Sequence, residues 1–95
     1  MTAQVRDLQE RFAEALAKEQ SLRPTREHCI DGEVAWVRAE RELMLSLVNA
    51  ERAKLGYTPV DMADIHEAEL GAAGHTDYST KFALYCASLV FKEDQ

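Results

Sequence analysis

The chain has 95 residues and a mass of 10.7 kDa, which is enough for one small domain spanning residues 1–95. Apolar residues make up 46% and charged residues 29%, a globular composition without the Pro- or Gly-rich tracts that mark disorder. Its 17 acidic and 11 basic side chains give a formal charge of −6, which disfavours sequence-independent binding to nucleic acid or anionic membranes and favours a basic protein partner.

No segment of the sequence is apolar for long enough to cross a bilayer. The longest apolar stretch, residues 82–91, is interrupted by Ser88 and falls short of the roughly 20 residues that a transmembrane helix needs. The amino-terminal residues turn polar where a secretory signal would become apolar. Two cysteines, Cys29 and Cys86, are too few for a disulfide scaffold, although a bridge between them stays open. We therefore expect a cytoplasmic protein with no membrane segment.

The first predicted element is an amphipathic helix near the amino terminus. Its apolar residues recur at three- and four-residue steps on one side: Val5, Leu8, Phe12, Ala15 and Leu16. Thr2 is placed to cap this helix. Asp7 precedes Arg11 by four residues, a spacing at which an acid and a base stabilise a helix as an ion pair.

The connector after this helix contains an Asp31-Gly32 pair that admits two interpretations. The pair could close a two-residue β-hairpin, because glycine tolerates the positive φ that such turns require. Alternatively, Asp31 caps a second helix that begins at Glu33 and continues to a stop at Gly56. We favour the helix and keep a short β-hairpin around residues 26–37 as the alternative.

Two more helices are predicted in the second half of the chain. Pro59 suits the first turn of the third helix, where Asp61 and Asp64 lie near the positive end of the dipole, and this helix should end near Gly71. The fourth helix runs from about 77 to 92 and is apolar nearly all round. Its main face carries Tyr78, Phe82, Tyr85, Cys86 and Leu89, and a second side carries Leu84 and Phe91. The predicted fold is all-α, a compact bundle of about four helices.

Three polar residues fall on helix faces that are otherwise apolar: Glu40, Glu51 and His66. Inward carboxylates and imidazoles hold divalent metals in some helical bundles. However, Glu40 and Glu51 lie roughly 16 Å apart along one helix, too far to share an ion. The Glu-x-x-His spacing typical of such sites is also absent. We expect no metal or other cofactor, and a metal-dependent all-α enzyme or metal-binding bundle built on these three residues is the alternative.

Glu40 and Glu51 also have a purely structural interpretation. A long acidic side chain can lie along the seam between two helices and reach an arginine, and Arg41 and Arg52 are the adjacent residues in the sequence. For catalysis, the mid-helix serines Ser46 and Ser88 have no histidine at a recognisable spacing, so an enzyme is not the favoured function.

A helix-turn-helix domain is a further alternative, because a Gly-containing link joins the third and fourth helices. The fourth helix offers few side chains that could donate to bases or phosphates, and acids surround it. We therefore expect no direct contact with nucleic acid.

The favoured function is a small acidic protein-protein interaction module. Its candidate apolar contacts lie on the last helix: Leu84, Phe91 and Tyr78. Acidic side chains cluster in residues 61–77 and could substitute for phosphates: Asp61, Asp64, Glu67, Glu69 and Asp77. The sequence thus predicts an inhibitor or adaptor that binds a basic, nucleic-acid-handling protein, as proteins of phages and mobile elements do. A homodimer formed through the last helix is the competing interpretation.

Overall fold

The computed structural model describes residues 2–25, 29–30 and 33–93. These residues form four α-helices: α1 (Ala3–Gln20), α2 (Ala35–Lys54), α3 (Met62–Ala72) and α4 (Tyr78–Val90). A 3-10 turn and two short strands lie between α1 and α2: Arg23–Thr25, β1 (Cys29–Ile30) and β2 (Glu33–Val34). The predicted all-α bundle of about four helices is confirmed.

The ends of α1 and α2 follow local signals in the sequence. Thr2 caps α1, because its side-chain oxygen accepts a hydrogen bond of 3.1 Å from the Val5 amide. Gly56 follows the end of α2 with a φ of 76°, a left-handed conformation that glycine adopts without strain. The amides of Gly56 and Tyr57 donate to the last turn of α2, which completes a Schellman cap. The predicted cap of α1 and the predicted stop of α2 are therefore confirmed.

The connector contains the hairpin ladder that the sequence analysis kept as its alternative. Cys29–Ile30 pairs with Glu33–Val34 in antiparallel register. α2 begins at Ala35, after this ladder, and its cap position carries no side-chain hydrogen bond. The preferred prediction, a second helix that stops at Gly56, is confirmed over Ala35–Lys54, but its predicted start at residue 33 is wrong, because the backbone at 33–34 pairs with a strand first. The proposed cap Asp31 lies outside the described residues.

α3 begins with a capping box formed by two aspartates. The Asp61 carboxylate accepts a bond of 3.1 Å from the Asp64 amide, and the Asp64 carboxylate accepts one of 3.2 Å from the Asp61 amide. Pro59 precedes the cap, so its predicted place in the first helical turn is wrong. The capping box determines where the helix starts, and the helix runs one residue beyond Gly71, where its end was predicted.

α4 lies at the centre of the bundle. It packs against each of the other three helices and most extensively against α1. Its buried side chains are Phe82, Ala83, Cys86, Ala87 and Val90. They meet the apolar stripes of the other helices, among them Phe12, Leu16, Met44, Val48 and Ile65. Cys86 is a free thiol, so the Cys29 to Cys86 bridge is not formed. Across the described ranges, no helix combines the length and the apolar character that a bilayer span requires.

Candidate functional site

A groove of about 460 Å³ opens between α2, the end of α3 and the start of α4. Its lining is aromatic, ionic and aliphatic: Trp36, Tyr78, Arg23, Arg41, Glu69, Val37, Leu70 and Ala73. We name it the Trp36 groove after the single tryptophan of the chain. Leu70 is 59% exposed, the most exposed large apolar side chain in the described part of the chain. The groove is therefore a concave amphipathic surface with a protruding leucine in its lining.

A buried carboxylate holds Arg23 over the face of Trp36. The Glu40 side chain is 3% exposed and accepts hydrogen bonds of 2.8 Å from Nε and 2.9 Å from Nη2 of Arg23. The guanidinium carbon lies 3.9 Å from the centroid of the Trp36 ring, which is a cation–π contact. The hydrogen bonds to Glu40 raise the pKa of Arg23 above its ordinary value. The third nitrogen of Arg23, Nη1, has no acceptor among the described residues.

A second ion pair joins α2 to α3 across the groove. Nε of Arg41 donates to both carboxylate oxygens of Glu69, at 3.0 and 3.1 Å, and Nη2 donates to Oε1 as well. Both side chains are mostly covered, at 21% and 14% exposed. Such a bidentate pair fixes the position of each side chain more tightly than a single contact does.

Tyr78 lines the α4 end of the groove. Its half-buried ring lies at a tilt against Phe82, with ring centroids 5.7 Å apart. Burial, followed by the charges of Glu69 and Glu40, raises the pKa of the Tyr78 phenol to about 12. The phenol of Tyr78 therefore stays protonated to a higher pH than an exposed tyrosine does.

The charges of this face are balanced. Each arginine of the groove is paired with a glutamate, and Arg38 pairs with Glu42 at 3.3 Å nearby on α2. Because these three pairs sum to zero, the formal charge of −6 is carried by the rest of the chain. Counted over the described residues, these pairs leave the Trp36 groove without net charge.

The structure does not bring the three candidate metal ligands together. Glu40 is engaged by the groove arginine, and Glu51 accepts from Lys54 and from Arg11, each at 2.8 Å. The hydrogen bond from Lys54, together with Arg11, lowers the pKa of Glu51. No three His, Cys, Asp or Glu side chains of the described segments are grouped so that they could hold a metal ion.

His66 occupies the outer side of α3, where its side chain is 49% exposed. Its Nδ1 lies 3.6 Å from Oε1 of Glu69. The prediction that His66 faces the core is wrong, because Ile65 and Ala68 fill the inner side of this helix. The structural interpretation of Glu40 and Glu51 is confirmed, because each of them reaches an arginine. The arginines are Arg23 and Arg11, however, and not the sequence neighbours Arg41 and Arg52.

The five acids predicted to imitate phosphates do not form one free acidic face. Two of them make the capping box of α3, and Glu69 neutralises Arg41 in the groove. Glu67 and Asp77 are exposed and have no ion pair with any part of the chain that the structure describes. The acidic contact surface available to a partner is therefore smaller than the sequence suggests.

The predicted apolar contacts lie in different surroundings. Tyr78 belongs to the Trp36 groove. Phe91 is half-buried against the core and lines a separate groove of about 230 Å³ with Leu55. Leu84 is half-buried and lines neither groove. Sequence reasoning missed the contribution of Leu70, and the one available signal for the groove was the single tryptophan.

The helix-turn-helix alternative requires α4 to be exposed as a recognition helix. Instead, α4 packs against α1, α2 and α3 and carries the centre of the core. This packing leaves only part of the α4 surface accessible to a partner.

Comparison of the chain with protein families, with characterised proteins and with solved structures finds no match in any of the three.

Proposed function

We propose that this protein is a protein-protein interaction module whose contact face is the Trp36 groove. The observation that carries the proposal is the residue composition of the groove. Tryptophan, tyrosine and arginine are the residue types that dominate binding energy in protein interfaces. Here Trp36, Tyr78, Arg23 and Arg41 converge on one concave site beside an exposed leucine.

The charged side chains of the groove are held in place before any partner arrives. Two hydrogen bonds and a ring contact position Arg23, and a bidentate pair positions Arg41. A side chain that is already ordered loses less conformational entropy on association. Because each charge is also neutralised within the chain, the groove favours an apolar contact with a few polar groups at its edge.

The shape of the groove supports a protein partner over a small molecule. Small-molecule sites enclose most of the surface of their ligand. Here Leu70, which lies in the wall, has more than half of its surface exposed to solvent. A surface that combines a shallow depression with an exposed leucine is suited to an opposing protein surface.

The more specific proposal, a cytoplasmic inhibitor or adaptor of a basic nucleic-acid-handling protein, draws its support from the acidic excess. Glu67 and Asp77 are exposed acids of the predicted cluster whose side chains make neither an ion pair nor a cap hydrogen bond with the described residues. A partner attracted by these charges should bind more weakly as salt rises, and Glu67→Gln with Asp77→Asn should reduce that salt dependence. Binding that is unchanged by salt and by both substitutions would contradict the acidic mechanism while leaving the groove as the contact face.

Site-specific photo-crosslinking in the cells that make the protein tests the proposed contact face. A photoreactive phenylalanine analogue is placed at Leu70, and the same analogue at Leu55 is the matched control. Leu55 is 48% exposed and also lies near a helix end, but it is outside the Trp36 groove. We expect a defined polypeptide adduct from position 70 that is absent from position 55. No adduct from position 70, or the same adducts from both positions, would refute the proposal.

A further inference from the structure

We infer that a second copy of this chain occupies the Trp36 groove and inserts its Leu70 there, so that two copies associate face to face. The inference rests on the proposed function, because it uses the same contact face. It adds the identity of the occupant, which the composition of the groove alone does not supply.

Charge is the first argument for this arrangement. Two copies that each carry a formal charge of −6 repel one another over most of their surfaces. They can approach closely only where the local charge is balanced. Among the described residues, the Trp36 groove and the adjacent turn of α2 are such an area, since the charges of their three arginine-glutamate pairs cancel.

The position of Leu70 is the second argument. In a twofold-symmetric dimer the same patch contacts itself, so a protruding group and its receptor must lie side by side on one surface. Leu70 is the most exposed large apolar side chain of the described residues, and it belongs to the wall of the groove. A twofold axis through this wall brings each Leu70 against the Trp36 ring and Val37 of the other copy.

Polar groups on the same patch are complementary as well. Leu70 lies in the last turn of α3, a turn that contains no basic side chain. The carbonyl end of a helix carries partial negative charge and favours a nearby cation. Insertion of Leu70 carries this helix end toward the other copy's Arg23, whose Nη1 has no acceptor on the described part of its own chain. The contact thus supplies an acceptor for Nη1 of Arg23.

Sedimentation velocity with the untagged full chain, measured from dilute solution to about 1 mM, tests the inference. The wild type should shift reversibly from 10.7 kDa toward twice that mass as its concentration rises. Leu70→Glu should stay at 10.7 kDa, because a carboxylate would replace the apolar side chain that packs against Trp36 and Val37 of the other copy. Leu55→Glu, the matched control, should associate like the wild type. Circular dichroism should show that both variants fold, since both leucines are exposed.

Trp36 fluorescence gives a second readout, because the only tryptophan lies at the proposed interface. Dilution should shift its emission to longer wavelength in the wild type and in Leu55→Glu, but not in Leu70→Glu. A wild type that stays at 10.7 kDa throughout would overturn the inference, as would association of Leu70→Glu or its loss in Leu55→Glu. If the wild type is monomeric but position 70 still crosslinks to another polypeptide, only this inference fails. If position 70 yields no adduct at all, the proposed function fails too.

Discussion

Replacing Glu40 with glutamine should release Arg23 from its position over the Trp36 ring. Glu40 is 2% exposed and accepts hydrogen bonds from both Nε and Nη2 of Arg23. Glutamine has nearly the same shape, but one end of its amide is a donor and would face an N–H of the guanidinium. One hydrogen bond is therefore lost, and the other no longer has a charged acceptor.

The expected loss of stability follows from the exposure of the two partners. A hydrogen bond to a charged group contributes about 1.5–3 kcal/mol to stability. Because the Arg23 side chain is 35% exposed, water compensates part of the loss, and we expect a fall in the free energy of unfolding of about 2 kcal/mol. In a domain of this size, 1 kcal/mol moves Tm by about 4–8 °C, so Tm should fall by about 8–16 °C.

Glu42→Gln is the control, because it removes the same charge from the same helix at an exposed pair. Glu42 is 61% exposed and lies 3.3 Å from Arg38, four residues earlier. Such pairs contribute about 0.3–0.5 kcal/mol, so Tm should change by less than about 4 °C. Thermal unfolding by circular dichroism gives Tm, and the native emission of Trp36 should change in the Glu40 variant alone. Equal Tm changes in the two variants, or native emission that Glu40→Gln leaves unaltered, would refute this account of the groove.

Three further predictions concern other groups. Arg52, 2% exposed, donates from Nε to a loop carbonyl and from Nη1 to carbonyls at the end of α4. Lysine has one nitrogen and cannot reach both, so Arg52→Lys should lower the free energy of unfolding by about 2–4 kcal/mol in urea titrations; a wild-type midpoint would contradict this. The fold lowers the pKa of Glu51 from its ordinary value of 4.5, so ionised Glu51 stabilises the protein at pH values above 4.5. This stability is lost as the pH falls through the lower pKa of the folded state. Glu51→Gln should therefore show a weaker decrease of Tm with acid, and parallel pH profiles would argue against it. The phenol of Tyr78, raised from 10.0 to about 12, stays neutral in the folded state while the unfolded chain ionises, so stability should fall as pH rises past 10. Tyr78→Phe should remove the loss of stability above pH 10, and it should also remove the tyrosinate absorbance that develops at the highest pH in a titration. Absorbance that still develops at this pH in the variant would assign the raised pKa to another group.

The helical elements were predictable because their signals are local. Apolar spacing on α1, the cap at Thr2 and the glycine at 56 each act within one or two turns of the chain. The error at the start of α2 has a different cause. Residues 33–34 pair with residues 29–30, and such pairing competes with a helix start that the sequence favours on its own.

The candidate site was not predictable in the same way, because its partners are chosen across the fold. Glu40 bonds to Arg23, which lies 17 residues earlier, and not to the adjacent Arg41. Arg11 likewise reaches Glu51 on α2, although Asp7 stands at the favourable spacing on its own helix. The direction in which a long charged side chain finds its partner depends on the helix that packs beside it.

The sequence by itself determined the number of helices, most of their ends and the apolar stripes that form the core, since periodicity and caps are properties of single segments. Only the tertiary structure decided that Trp36 and Leu70 share a groove and that His66 is turned outward. A residue near the edge of an apolar stripe becomes buried or exposed according to how its helix is rotated and what packs against it. The packing of the assembled bundle sets the rotation of each helix. This packing places a neutral, aromatic and arginine-lined surface on an acidic protein.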